Sequence, residues 1–162
     1  MAIPALVRDF KEFLKSLNSN SVEYLLIGGY AVGIHGHVRA TGDLDVWVGL
    51  NPENAVRIDR SLREFGFLTA ELSPDLFRTP NNVVRMGVPP VRIEILTSVS
   101  GVEFESCYAE KEMIRIEEIL VPVISLARLR QNKAASGGRK IWRIWRICRI
   151  NLANSPDHAD DL

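Results

Sequence analysis

The stretch "YLLIGGYAVGIHGHVRATGDLDVWV", from Tyr24 to Val48, decides the fold. It opens inside an apolar, β-rich run, Val22 to Ile27, breaks at Gly28-Gly29 and re-emerges as "DLDVWVGL". A short run of that composition, bounded by turn residues, reads as a buried strand. The two glycines permit a tight turn, after which "YAVGIHG" suits a short helix. In the second run Asp43, Asp45 and Trp47 alternate with Leu44, Val46 and Val48. Period two makes this another strand, with two carboxylates on one face.

Carboxylates at such positions have β-carbons roughly 7 Å apart. Like charges that close repel and stay ionised where water or a cation compensates. Their hard oxygens, on a rigid strand, suit Mg2+ or Mn2+, which keep sites for water and phosphate. Glu94, within "VRIEILT", is a third acid placed mid-strand, where burial without a partner is costly. Arg92 shares its face and Arg85 lies in the neighbouring run, so an ion pair is the structural alternative to a metal-binding Glu94. For Asp43 and Asp45 the alternative is a solvated strand edge; for Gly28-Gly29 it is a plain strand-to-helix turn. A glycine turn at a helix start also aims backbone N–H groups at an anion.

Outward from this segment, residues 4–18 carry Leu6, Phe10, Phe13, Leu14 and Leu17 at helical spacing. Asn51-Pro52-Glu53 reads as a helix start, and Ala55, Ile58, Leu62 and Phe65 mark its apolar face before Gly66. "FLTAEL" reads as a strand and Ser73 to Pro80 as a loop. "VVRMGV" and "VRIEILT", joined through Val88-Pro89-Pro90, read as a β-pair; Val91, Ile93 and Ile95 share one face, Arg92, Glu94 and Leu96 the other. "MIRIEEILVPVIS" reads as one strand broken by Pro122, and Ser125 as the cap of a helix that stops at Gly137-Gly138. Helices interspersed with pairs of strands give an α+β fold, a mixed β-sheet with helices packed on it.

The motif "GGYAVGIHGHVRATGDLDV", with a later acid, resembles the minimal nucleotidyltransferases of the DNA polymerase β-like superfamily. The nearest resemblance is to small bacterial proteins grouped with the abortive-infection (AbiEii-type) nucleotidyltransferases. It extends from Val22 to Arg139. The resemblance implies a nucleotidyltransferase fold and transfer of a nucleoside monophosphate from an NTP to an acceptor hydroxyl, with release of pyrophosphate. It implies Mg2+ or Mn2+ held by Asp43, Asp45 and Glu94, the last as ligand or general base. It further implies Gly28 and Gly29 at the triphosphate, with Arg39, Thr41, Lys133 and Arg139 as nucleotide contacts. The acceptor is left open among protein, tRNA and small molecule. One departure stands out: the third acid is often Asp in these relatives, and Glu94 reaches one methylene further. The alternative is a catalytically impaired relative that binds nucleotide or a partner protein, such as a toxin–antitoxin component.

At 162 residues the chain suits one domain, Met1 to Arg139, followed by an atypical tail, Lys140 to Leu162. Lys plus Arg and Asp plus Glu are 20 each, so net charge selects neither nucleic acid nor membrane. Cys107 and Cys148 form no CxxC, which predicts reduced, inert thiols in a cytoplasmic setting. The opening residues form no signal peptide, and no run approaches the roughly 18–20 apolar residues of a membrane span. His35 and His37 make a poor zinc pair and read as local packing.

"RKIWRIWRICRI", Arg139 to Ile150, repeats every three residues. A three-residue step turns a helix by about 300°, so neither helix nor strand gains a clean apolar face. A basic aromatic patch for RNA, or self-association through Trp142 and Trp145, would fit. The favoured reading is a shifted reading frame: with codons such as AAG-ATC-TGG-CGG-ATT for Lys140 onward, the neighbouring frame would encode an Asp-Leu-rich segment that resembles the family's continuation. The gene's nucleotide sequence tests it.

Overall fold

The helical and period-two patterns resolve into α1 (Arg8–Ser19), β1 (Tyr24–Ile27), α2 (Gly28–Ile34), β2 (Asp43–Val48), α3 (Pro52–Phe65), β3 (Asn82–Val88), β4 (Val91–Leu96), α4 (Phe104–Ala109), β5 (Glu112–Ile116), β6 (Ile119–Val123), α5 (Leu126–Ser136) and β7 (Arg146–Ile150). A computed structural model describes residues 6–36, 42–88 and 90–136, and the backbone of 146–150. The strands form one mixed sheet in the order β5-β6-β1-β2-β4-β3-β7. β2 is flanked by β1, antiparallel, and by β4, parallel; β3 returns antiparallel to β4.

The side of β2 carrying Leu44, Val46 and Val48 is fully buried, in one apolar cluster with Phe13, Leu14 and Leu17 of α1 and Ala55, Ile58 and Leu62 of α3. The two helices are tied by the Ser16 hydroxyl, which donates to the Ser61 carbonyl at 2.9 Å. That leaves the opposite side of β2 to present its acids.

α3 starts where Asn51 Oδ1 accepts from the Asn54 N–H at 2.8 Å, with Pro52 in the first turn. It ends at Gly66, whose φ of 116° is left-handed. Buried Asn54 then fastens three elements. Its Oδ1 accepts from the Glu23 N–H at 2.7 Å, and its Nδ2 donates to the carbonyls of Glu23 and Gly49 at 3.0 and 2.9 Å. Asn54→Ala strands these backbone groups in the interior and is expected to destabilise the protein by about 2 kcal/mol, read as a shift in urea midpoint with unchanged slope.

The structure corrects several sequence readings. "FLTAEL" is no strand: Phe67 and Leu72 are buried, but the Leu72 N–H bonds to the Thr69 carbonyl at 3.2 Å, folding the segment into a turn with Leu68 outside. Within the Ser73–Pro80 loop a single 3-10 turn, Pro74–Phe77, seats Phe77 in the core. "MIRIEEILVPVIS" is a hairpin that reverses at Glu117, φ 56°, while Pro122 lies inside β6. α4 had not been read from the sequence. Residues 146–150, whose period fits no strand, run as β7 parallel to β3. Backbone pairing to an open sheet edge does not require side-chain alternation. The starts of α1 and β1 fall later than expected, and α2 includes both glycines. Among the described residues no helix is long and apolar enough to cross a membrane. Cys107 is buried, and burial pushes its thiol pKa up, away from reactivity.

Candidate active site

The site is built by register. Asp45 pairs with Ile27 at the end of β1 on one side and with Glu94 of β4 on the other, while Asp43 pairs with Arg92. Directly opposed residues of neighbouring strands have their backbones about 5 Å apart. One patch of the sheet therefore gathers Asp43, Asp45, Arg92 and Glu94, the parity expected from the alternation of β2 and β4.

Gly28 closes this patch from the β1 side. It follows Ile27, turns the chain into α2 with φ +69°, and lies against the Asp45 carboxylate. A β-carbon there would stand 2.1 Å from Asp45 Oδ2 and 2.9 Å from its Cγ. Glycine is thus required twice, for its backbone conformation and for the space an acid fills.

Two arginines enter the same patch. Arg92 grips Asp43 with both ends of its fork, Nη2 donating to Oδ2 at 2.6 Å and Nε to Oδ1 at 3.2 Å. The same Nε lies 3.4 Å from Glu94 Oε1. Arg85, opposite Glu94 on β3, donates from Nε to that oxygen at 2.9 Å. The hydrogen bond to Asp43 is the main cause holding the Arg92 pKa above its ordinary value; burial opposes it, and the charges of Asp43, Glu94 and Asp45 reinforce it.

Glu94 is wholly buried, and its Oε2 makes no hydrogen bond among the described residues. A buried, unsatisfied carboxylate oxygen is the kind of acceptor a cation satisfies. Together with Asp43 and Asp45 it forms a set of hard oxygens that fits Mg2+ or Mn2+ in kind. Among the described residues no three acidic, histidine or cysteine side chains converge as a cage. Asp43, held by Arg92, is turned to that purpose instead.

Of the other expected contacts, Gly29 is buried in the first turn of α2. Lys133 is exposed on α5 and makes no ion pair with the acids among the described residues. Arg39, Thr41 and Arg139 lie outside the described residues, as does His37. His35 is a packing residue, with Nε2 2.8 Å from the Ile124 carbonyl. Arg85 and Arg92 entered the sequence reading only as alternative partners for Glu94. The observable signal was their parity, since Arg92 is two residues from Glu94 on one strand.

No protein-family model and no curated protein matches the chain. Its structure is similar to the crystal structure of a candidate nucleotidyltransferase from Thermotoga maritima, with a TM-score of 0.57 at 15% identity, over 83% of this chain and 89% of that one. At so low an identity the likeness concerns architecture: the α+β sheet built around Gly28, Asp43 and Asp45 is a nucleotidyltransferase fold.

Proposed function

We propose that the protein transfers a nucleoside monophosphate from an NTP to an acceptor hydroxyl. The observation that carries this reading is the placement of Asp45, set between the Gly28 turn and Glu94, with Asp43 two residues along the same strand. The likeness in fold supports it. In the reaction the acceptor hydroxyl gives up its proton to water, its oxygen bonds to the α-phosphorus, the bond to the bridging oxygen breaks, and pyrophosphate leaves with that electron pair.

Asp43, Asp45 and Glu94 would hold Mg2+ or Mn2+, which supplies charge neutralisation at the phosphates and polarises the reacting oxygens. Gly28 and Gly29 bring backbone close to the triphosphate. Arg39, Thr41, Lys133 and Arg139 are the proposed nucleotide contacts. Glu94 already accepts from Arg85 and retains a second oxygen, an arrangement better suited to cation binding than to proton uptake. The acceptor's class, protein, tRNA or small molecule, follows from what becomes labelled.

A second reading, nucleotide or partner-protein binding without transfer, as in a catalytically impaired toxin–antitoxin component, is favoured by one observation: Arg92 engages both oxygens of Asp43. Incubation with each α-labelled NTP, divalent ion and cell extract separates the two. Label on an acceptor, absent in the Asp43→Asn plus Asp45→Asn variant, is the expected result. NTP binding without transfer supports the second reading, and absence of NTP binding overturns the transferase and leaves of the second reading only its partner-protein form.

A further inference from the structure

We infer that Arg92 is the resident cation of the acidic patch and competes with a divalent ion for Asp43, so that the ion enters as the guanidinium leaves. The inference rests on the reading of Asp43 as an ion ligand. Both Asp43 oxygens accept from Arg92, one at 2.6 Å, so the guanidinium fork occupies the bidentate face of the carboxylate and its charge opposes a second cation there. A guanidinium remains charged at any physiological pH, so only movement, not proton loss, clears the place.

The two arginines differ in what their departure leaves behind. Arg85 holds the wholly buried Glu94 at 2.9 Å, and without it a buried charge loses its nearer partner. Arg92 stands farther from Glu94, at 3.4 Å, and its own side chain is 24% exposed. When Arg92 swings outward, Glu94 keeps Arg85, and the face of Asp43 that the guanidinium held, on a side chain 18% exposed, can take water or an ion. Arg85 is therefore the fixed counter-charge and Arg92 the exchangeable one. This also accounts for three acids on one patch that do not converge as a cage.

The test is a Mn2+ titration followed by the loss of the free-ion electron paramagnetic resonance signal, on the full chain and its variants, with circular dichroism confirming the fold of each. Arg92→Gln is expected to bind Mn2+ about tenfold tighter than the unsubstituted protein, the scale of one charge-assisted hydrogen-bonded pair. Arg92→Lys retains the charge but not the fork, and is expected to gain about threefold, which separates competition for the oxygens from a general change in field. Adding Asp43→Asn to Arg92→Gln should abolish the gain. Affinity at or below that of the unsubstituted protein in Arg92→Lys and Arg92→Gln overturns the inference, as does a gain that survives Asp43→Asn. If Arg92→Gln fails to fold, Arg92→Lys alone decides. The readout requires no turnover: a protein that transfers no nucleotide still shows the gain, and a working transferase without it refutes only the competition.

Discussion

Gly28→Ala is expected to destabilise the protein by about 2–5 kcal/mol and to abolish the proposed nucleotide binding in whatever remains folded. Two effects add. The left-handed backbone at φ +69° disfavours any β-carbon by about 1–2 kcal/mol. The new methyl would also overlap Asp45 Oδ2, 2.1 Å away, and overpacking of this kind costs about 1–3 kcal/mol. Asp45 has little room to retreat along the sheet, because Ile27 and Glu94 fix its register from both sides. The carboxylate must rotate out of the patch, and this is why a stability mutation should also remove function. A double-mutant cycle with Asp45→Ala checks the mechanism by urea unfolding. In that background the carboxylate is gone and only the residue-45 β-carbon, 3.0 Å away, still crowds the new methyl, so the cost of Gly28→Ala should fall towards the backbone share of about 1–2 kcal/mol. An equal cost in both backgrounds would locate the effect in the backbone alone.

Much of this patch is local information, and the sequence carries it. The alternation of Asp43, Asp45 and Trp47, and of Arg92, Glu94 and Leu96, set the faces of β2 and β4 correctly because period two is a property of a single strand. The glycine pair announced a turn for the same reason. Which groups then meet depends on pairing between distant strands. The parallel register of β2 and β4 gives Arg92 to Asp43 as well as Glu94, and the β1–β2 register puts Gly28 against Asp45. Neither register is written in any one segment.

The misreadings follow from the same limit. Phe67 and Leu72 are both buried, as ends of a strand could be, yet Leu68 is 76% exposed because the turn between them reaches across the surface. The β5–β6 hairpin reverses through Glu117, a residue that seldom adopts positive φ, so no glycine or asparagine marks the turn. α4 has only six residues; its Phe104 packs edge-on against Trp47 of β2 and stacks on Tyr108 one turn along the same helix. Propensity over so short a segment carries little weight against packing.

Arg85→Met is expected to destabilise the protein by about 2–4 kcal/mol, and Arg92→Met by clearly less, about 1 kcal/mol. The two guanidinium groups carry equal charge and share Glu94 Oε1, so charge count alone predicts no difference. Burial decides it. Glu94 is inaccessible to water, and its other oxygen already makes no hydrogen bond among the described residues. Removing the donor at 2.9 Å leaves that charge to the weaker contact at 3.4 Å, whereas removing Arg92 chiefly releases Asp43, which water can reach. If the buried charge is the source of the cost, adding Glu94→Leu to Arg85→Met should recover most of it, since an apolar pair of similar volume replaces a broken ionic one. Equilibrium unfolding of the two single variants and the double variant gives the order directly. A larger loss in Arg92→Met would exchange the roles of the two arginines, making Arg92 the fixed counter-charge and removing the ground on which it could yield Asp43 to a metal ion.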